Sequence, residues 1–332
     1  MIQPAFPGAY AAATQGAGLI DRSHRGRIVV SGQDRASYLQ GLLTNDIAAL
    51  KAGRGCYAAY LTAQGRMITD LLVYELGDVI LLTLPGDVKD AVLAKLDQFI
   101  FSEDVALGDV TDTFCQVAIV GPAAASLLAG ALQDVGADEL AALPEHGSIR
   151  GSFDAQAAIV VRVSDTGEPG FDVFVDRAYG DRLKAALVSG GALEVDAVTA
   201  DAIRIEAGVP VFHRDMDEDT IPLEAGIESQ AISMTKGCYV GQEVIIRVLH
   251  RGHGRVVRKL VGLTFDLGAR VPVPGTVVRA GDREVGHITS ACASPALQRP
   301  IALAYVHRDF IEPGTTVSVD DMRADVTQLP FV

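Results

Sequence analysis

Residues 79–96 read VILLTLPGDVKDAVLAKL, and residues 171–187 read FDVFVDRAYGDRLKAAL. Each begins as a short apolar strand, breaks briefly and continues as an amphipathic helix. In the first copy Pro85-Gly86-Asp87 makes the break, and Val88, Ala91, Val92, Leu96, Phe99 and Ile100 then recur at helical spacing. A strand–strand–helix unit that occurs twice predicts an α+β fold built from two ferredoxin-like lobes.

The flanking sequence fits this reading. Before the first copy, a strand over Arg27 to Ser31 leads into a helical stretch with Ala36, Leu39, Leu42 and Leu43 on one side, stopped by Thr44-Asn45-Asp46. Strand-like runs at 56–62, 67–74 and 79–84 then form a meander. Before the second copy, a strand at 117–120 meets Gly121-Pro122 and an Ala/Leu-rich helix. A hairpin over 158–163 and 171–176 and a helix over 178–188 follow. Residues 134–152, with three glycines and Pro144, are expected to be a surface excursion. After Arg255 the pattern changes to six short β runs separated by turns such as Pro274-Gly275 and Pro313-Gly314, which predicts a small antiparallel barrel or sandwich. The expected domains are 1–250 and 251–332.

Composition narrows the function classes. The chain has 332 residues, 49% of them hydrophobic and 21% charged, enough apolar material for a sizeable core. Its net charge of −14 argues against sequence-independent wrapping of nucleic acid. The uncharged first twenty residues lack the basic start of a signal peptide, and the uncharged window 113–133 is broken at Gly121-Pro122. The expectation is a cytoplasmic protein with no membrane partner. Cys56, Cys115, Cys238 and Cys292 are widely spaced and form no CxxC pair, so neither a disulfide framework nor a local metal site is expected.

Residues 201–258 concentrate the chemistry-bearing features. Glu206, in RIEAG, sits near the end of a helical pattern with Gly208 as its stop. Its carboxylate suits two parallel N–H donors such as those of a pterin, or a helix-terminal ion pair with Arg204. In KGCYVGQE, residues 236–243, two glycines bracket Cys238. Lys236 would favour its thiolate if the fold brings the ammonium to the sulfur; the alternative is an inert buried cysteine on a strand. Asp215 to Asp219 is a run dominated by acids, whereas 244–260 holds Arg247, Arg251, Arg255, Arg258 and Lys259 with no acid. That stretch is either an attractor for a polyanion or a strand with one solvated basic face.

These segments resemble the folate-binding glycine-cleavage T-protein superfamily, specifically its YgfZ branch. RIEAGVP, then KGCYVGQE, then RG…R carry the resemblance, with YLQGLLTNDI near the start and VGHITS near the end. The resemblance implies two intertwined α+β lobes and a C-terminal antiparallel β-barrel around a tetrahydrofolate pocket. It implies Glu206 as the acid that pairs with the pterin ring, and Cys238, with Lys236, as the reactive group of the branch. Arg204, Asn45, Asp46, Tyr239, Gly241, Gln242, Glu243 and Arg251 complete the expected cofactor-binding set. T-proteins carry an Asp-Asp pair where this chain has Thr69-Asp70 in GRMITDL, so Asp70 is the one catalytic carboxylate retained there. Gly226 stands where relatives are expected to carry a polar residue.

The resemblance implies a tetrahydrofolate-binding accessory protein for iron–sulfur cluster assembly or repair. Its partners would be iron–sulfur client or scaffold proteins, and its effect on tRNA modification indirect. One cysteine cannot hold a cluster, so Cys238 would engage one only transiently. The alternative is a tetrahydrofolate-dependent aminomethyl- or methyltransferase of the T-protein type, and the sequence leaves open which holds and whether a reaction is catalysed. Direct RNA binding through residues 247–259 is disfavoured by overall charge.

Overall fold

The computed structural model of the chain describes residues 7–250 and 255–332. Two β-sheets and a closed barrel organise it. The first sheet is antiparallel and runs in the order Arg54–Leu61, Met67–Glu75, Ile80–Leu84, Gly26–Ser31, Ala106–Asp109. Helices Arg35–Leu42 and Lys89–Asp97 accompany it. The second sheet runs Leu193–Glu194, Gly18–Asp21, Phe114–Val120, Gly170–Asp176, Gln156–Arg162, Ser148–Phe153. The chain therefore starts in the second lobe, builds the first and returns, so the lobes are intertwined by connectivity. Both quoted copies fold alike: Ile80–Leu84 precedes helix Lys89–Asp97, and Gly170–Asp176 precedes helix Gly180–Ser189.

Strand Met67–Glu75 shows how the lobes meet. Met67, Thr69, Leu71 and Val73 are buried on one face; Leu72 and Tyr74 are buried on the other. Their face packs on the second sheet in a cluster with Leu81, Val161, Val163 and Phe174, and the Tyr74 ring meets Phe174 edge-on at 6.5 Å. A strand covered on both faces reads as a continuous apolar run rather than an alternating one. A buried polar chain also joins the lobes: Arg22 pairs with Asp172 (3.0 Å) and Asp165 (2.6 Å), and Gln116 donates to Asp172 and accepts from Arg27.

The C-terminal barrel closes in the order Arg258–Phe265, Arg299–His307, Arg283–Ser294, Val277–Ala280, Thr316–Val319, Met322–Thr327. All six expected β runs are strands of it. Helix Ala197–Glu206 packs on its strand Arg283–Ser294. The expected domain change at 250/251 adjoins residues 251–254, which lie outside the described residues together with Arg251.

Three expectations change. Residues 134–152 are not only an excursion: they hold helix Ala137–Ala142 and the edge strand Ser148–Phe153, whose Gly151 lets the backbone pass the Val135 side chain. Helix Lys89–Asp97 stops before Phe99 and Ile100, and Phe99 is exposed. The basic stretch begins as helix Gln242–His250 rather than a strand, because Ile245 and Val248 face the first core at helical spacing. No helix among the described residues is long and apolar enough to cross a membrane.

Candidate functional site

A cavity of about 1000 Å³ lies where both lobes, the central segment and the barrel meet. That is the upper end of the roughly 300–1,000 Å³ usual for small-molecule sites. The first sheet contributes Tyr57 and Asp70; the second lobe contributes His146 and Asp165. Residues 207–212, 225–227 and Gln230 line it from the central segment, Lys259 to Val261 and Thr327 to Pro330 from the barrel and tail.

Backbone register brings Tyr57 to Asp70. The hairpin turn at 62–66 would by itself place Ala58 opposite Asp70. A bulge at Tyr60/Leu61 shifts the pairing, so that Ala59 opposes Asp70 and Tyr57 opposes Leu72. Tyr57 then shares a face with Asp70, and its hydroxyl donates to Asp70 Oδ2 at 2.8 Å. Asp70 Oδ1 is buried without a hydrogen-bond partner. Burial raises the Asp70 pKa against the opposing pull of the Tyr57 hydrogen bond and Arg25. Burial and the neighbouring carboxylate raise Tyr57 as well. Thr69, on the other face, is fully buried in the core. Because side chains alternate along a strand, only one of positions 69 and 70 can face the cavity. The carboxylate this chain retains is the one on the cavity side.

Asn45 and Asp46 stand behind the cavity wall. Asn45 donates to the carbonyls of Tyr57 (2.8 Å) and Gln230 (2.9 Å), whose side chains line the cavity. Asp46 accepts from Gln40 Nε2 at 2.9 Å. Gly226, in a left-handed conformation at φ 75°, ends helix Pro222–Ala225 on the cavity rim. A Cβ there would meet only Lys259 Cε, at 4.0 Å, so the position has room.

The other expected site residues lie elsewhere. Glu206 is buried, and its carboxylate accepts from Tyr10 Oη (2.6 Å), from Ser294 Oγ and from the Ala296 amide (3.0 Å). It joins the N-terminal helix Pro7–Gln15 to the barrel and does not line the cavity, because those donors already occupy it. Arg204 is equally engaged, with Asp201 (2.8 Å), Asp215, the Val209 carbonyl and Ser290. None of residues 236–243 lines the cavity. Cys238 is exposed. The Lys236 ammonium turns away from any role beside that sulfur: Nζ donates to the carbonyls of Gln40 (2.6 Å), Leu43 (2.6 Å) and Asn45 (2.9 Å). It caps the C-terminal end of helix Arg35–Leu42, where carbonyls lack intrahelical partners. Burial pushes Lys236 down to about 8 against the opposing pull of Asp46. Tyr239 is buried against the first core, Gln242 opens helix Gln242–His250, and Glu243 pairs with Arg247 one turn on (2.6 Å). Gly241, at φ 86°, lies so close to the turn that a Cβ would stand 2.5 Å from the Thr62 carbonyl. Among the described residues no three His, Cys, Asp or Glu side chains converge to hold a metal.

Sequence reading missed Tyr57, Arg25, His146, Asp165 and Gln230. Only Tyr57 had a signal, an aromatic within hairpin reach of Asp70, and the bulge concealed it.

The T-protein assignment rests on comparisons over nearly the whole chain. Residues 4–236 match the GCVT N-terminal domain family, and residues 258–332 match the glycine cleavage T-protein C-terminal barrel domain family. An aminomethyltransferase of Rubrobacter xylanophilus is 34% identical, covering 95% of this chain and 83% of the relative. One from Streptomyces avermitilis is 32% identical, covering 95% and 86%. The crystal structure of a glycine cleavage system aminomethyltransferase T from Bartonella henselae superposes with a TM-score of 0.87 at 25% identity, covering 98% of this chain and 88% of that one. These relatives carry the name of the transferase, not of the YgfZ branch, and favour the transferase reading over the accessory one. The fold, both domain matches and these relatives place the chain in the glycine cleavage T-protein family.

Proposed function

We propose that the chain is a tetrahydrofolate-dependent one-carbon transferase of the T-protein type, acting on an aminomethyl or N-methyl group in the central cavity. The observation that carries this reading is Asp70: a half-buried carboxyl on the cavity wall with one oxygen held by Tyr57 and the other buried and unpartnered. An orphaned buried oxygen beside a cavity of this volume fits a ligand rich in ring N–H groups, as a reduced pterin is. A bound reduced folate supplies ring nitrogens that accept a one-carbon unit. Tyr57 fixes the Asp70 carboxyl, and burial raises its pKa toward the range where it can hold and release a proton at the donor nitrogen. The apolar wall from Leu72, Phe212 and Ile227 keeps water from that proton. Incubation with tetrahydrofolate and N-methylated or aminomethylated amines, followed by chromatography of the folate pool, tests this. Asp70→Asn is expected to lower turnover roughly 10²-fold or more. A variant with full turnover removes Asp70 from the chemistry.

A second reading is supported by Cys238. Its exposed thiol stands outside the cavity, on a segment that resembles the YgfZ branch. In this reading the folate-binding chain assists iron–sulfur cluster assembly or repair in client proteins, and tRNA modification changes indirectly. Cys238→Ala in a deletion strain is then expected to fail to restore cluster-enzyme activity; full restoration removes the reading.

A further inference from the structure

The arginines at the centre of the molecule differ in one respect. Arg22 holds two carboxylates, Arg27 holds Gln116 and two carbonyls, and Arg204 holds two carboxylates, a carbonyl and a hydroxyl. Arg25 lines the cavity, yet its side chain makes no hydrogen bond or ion pair among the described residues, and its Nε is buried without a partner. The nearby carboxylates do not neutralise it because each is engaged elsewhere. Asp165 is bound to Arg22 at 2.6 Å, Glu145 accepts from the Ser164 amide and hydroxyl at 2.7 and 2.9 Å, and Asp70 accepts from Tyr57. Arg25 shares the cavity wall with Tyr57 and Asp70, and its charge opposes the rise of both their pKa values.

A half-buried guanidinium with no carboxylate bonded to it is costly, and its planar fork matches a carboxylate in two parallel N–H bonds. We infer that Arg25 is an anchor for a ligand carboxylate at the Asp70 end of the cavity. This rests on the folate-dependent transferase reading and extends it to the class of substrate. The carboxylate belongs either to the one-carbon donor, a small N-methyl amino acid, or to the glutamyl group of the folate itself. In the first case the anchor sets the donor nitrogen beside Asp70, so that methylamines without a carboxylate are poor substrates. In the second it sets the folate's orientation.

Calorimetric titration of the full chain separates these sources. Wild type, Arg25→Gln and Arg25→Lys are titrated with 5-formyltetrahydrofolate and with 6-methyltetrahydropterin, which has no carboxylate. The pterin-loaded protein is then titrated with sarcosine and with dimethylamine. The Arg25 side chain makes no hydrogen bond or ion pair among the described residues, so neither variant is expected to melt well below the wild type. A folate carboxylate at Arg25 gives a tenfold or greater loss of 5-formyltetrahydrofolate affinity in Arg25→Gln, with pterin affinity unchanged. A donor carboxylate at Arg25 leaves both pteridine affinities unchanged and abolishes sarcosine binding, with dimethylamine binding in neither protein. Arg25→Lys, which keeps the charge but not the fork, falls between. Equal affinities for all four ligands in wild type and Arg25→Gln overturn the anchor while leaving folate binding intact. A wild type that binds neither pteridine overturns the transferase reading, and the anchor with it.

Discussion

Asp70 and Tyr57 bring two residues with little sequence separation into one pair, and the pair depends on a single bulge. A carboxyl buried beside an apolar wall is destabilised when charged. Its folded pKa lies above the unfolded value, so the fold binds its proton more tightly than the open chain does. The sign follows: wild-type stability falls as pH rises from the ordinary carboxylate value to the raised one, and the cost persists above it. Asp70→Asn keeps an oxygen for the Tyr57 hydroxyl and removes the charge. It is expected to stabilise the protein at neutral pH by roughly 0.5–2 kcal/mol, as replacements of functional polar groups often do. The gain should vanish near the ordinary carboxylate pKa. Thermal melts of both proteins between pH 4 and pH 8 read this directly.

At the scale of elements, the segment 232–243 is a clamp on the first lobe. Lys236 closes the carbonyl end of helix Arg35–Leu42, Val240 donates to the Gly41 carbonyl, and Gly241 lies against the 62–66 turn. Lys236→Met would leave three carbonyls without that ammonium and is expected to cost about 3 kcal/mol, read as a lower urea midpoint with unchanged slope. Gly241→Ala, strained at positive φ and crowded by a carbonyl, should lower the midpoint further than an exposed Gly→Ala does. The motif's glycines and lysine were legible as special positions, but their purpose was not. Spacing shows that Lys236 is two residues from Cys238; it does not show which way the ammonium turns, and here three carbonyls 191 to 196 residues away decide it. Period and turn chemistry did reveal the strands and helices, including the duplicated unit and all six barrel strands, because those signals are local. The edge strand Ser148–Phe153 stayed hidden, since short, half-exposed edge strands carry little apolar alternation.

Across the whole molecule, charged residues that read as a ligand site instead hold the parts together. Glu206 ties the N-terminal helix to the barrel, and its backbone carbonyl also receives the Phe331 amide at 2.8 Å. Arg204 and Asp215 reach Ser290 and Thr289 of the same barrel strand. Glu206→Ala is therefore expected to lower the melting temperature, with reduced-folate affinity unchanged by calorimetry; folate affinity lost without loss of stability would return Glu206 to the ligand site. The cavity itself could not be read from sequence, because its walls come from both lobes, the central segment and the barrel, widely separated in the chain and brought together by lobe intertwining and barrel docking. That cavity is the place where a reduced folate is expected to bind. A crystal structure of the protein soaked with 5-formyltetrahydrofolate tests it most directly. The pteridine ring is expected against Tyr57 and Asp70, between the lobes and the barrel. Density for the ligand beside residues 236–243, with the central cavity holding only solvent, would contradict it.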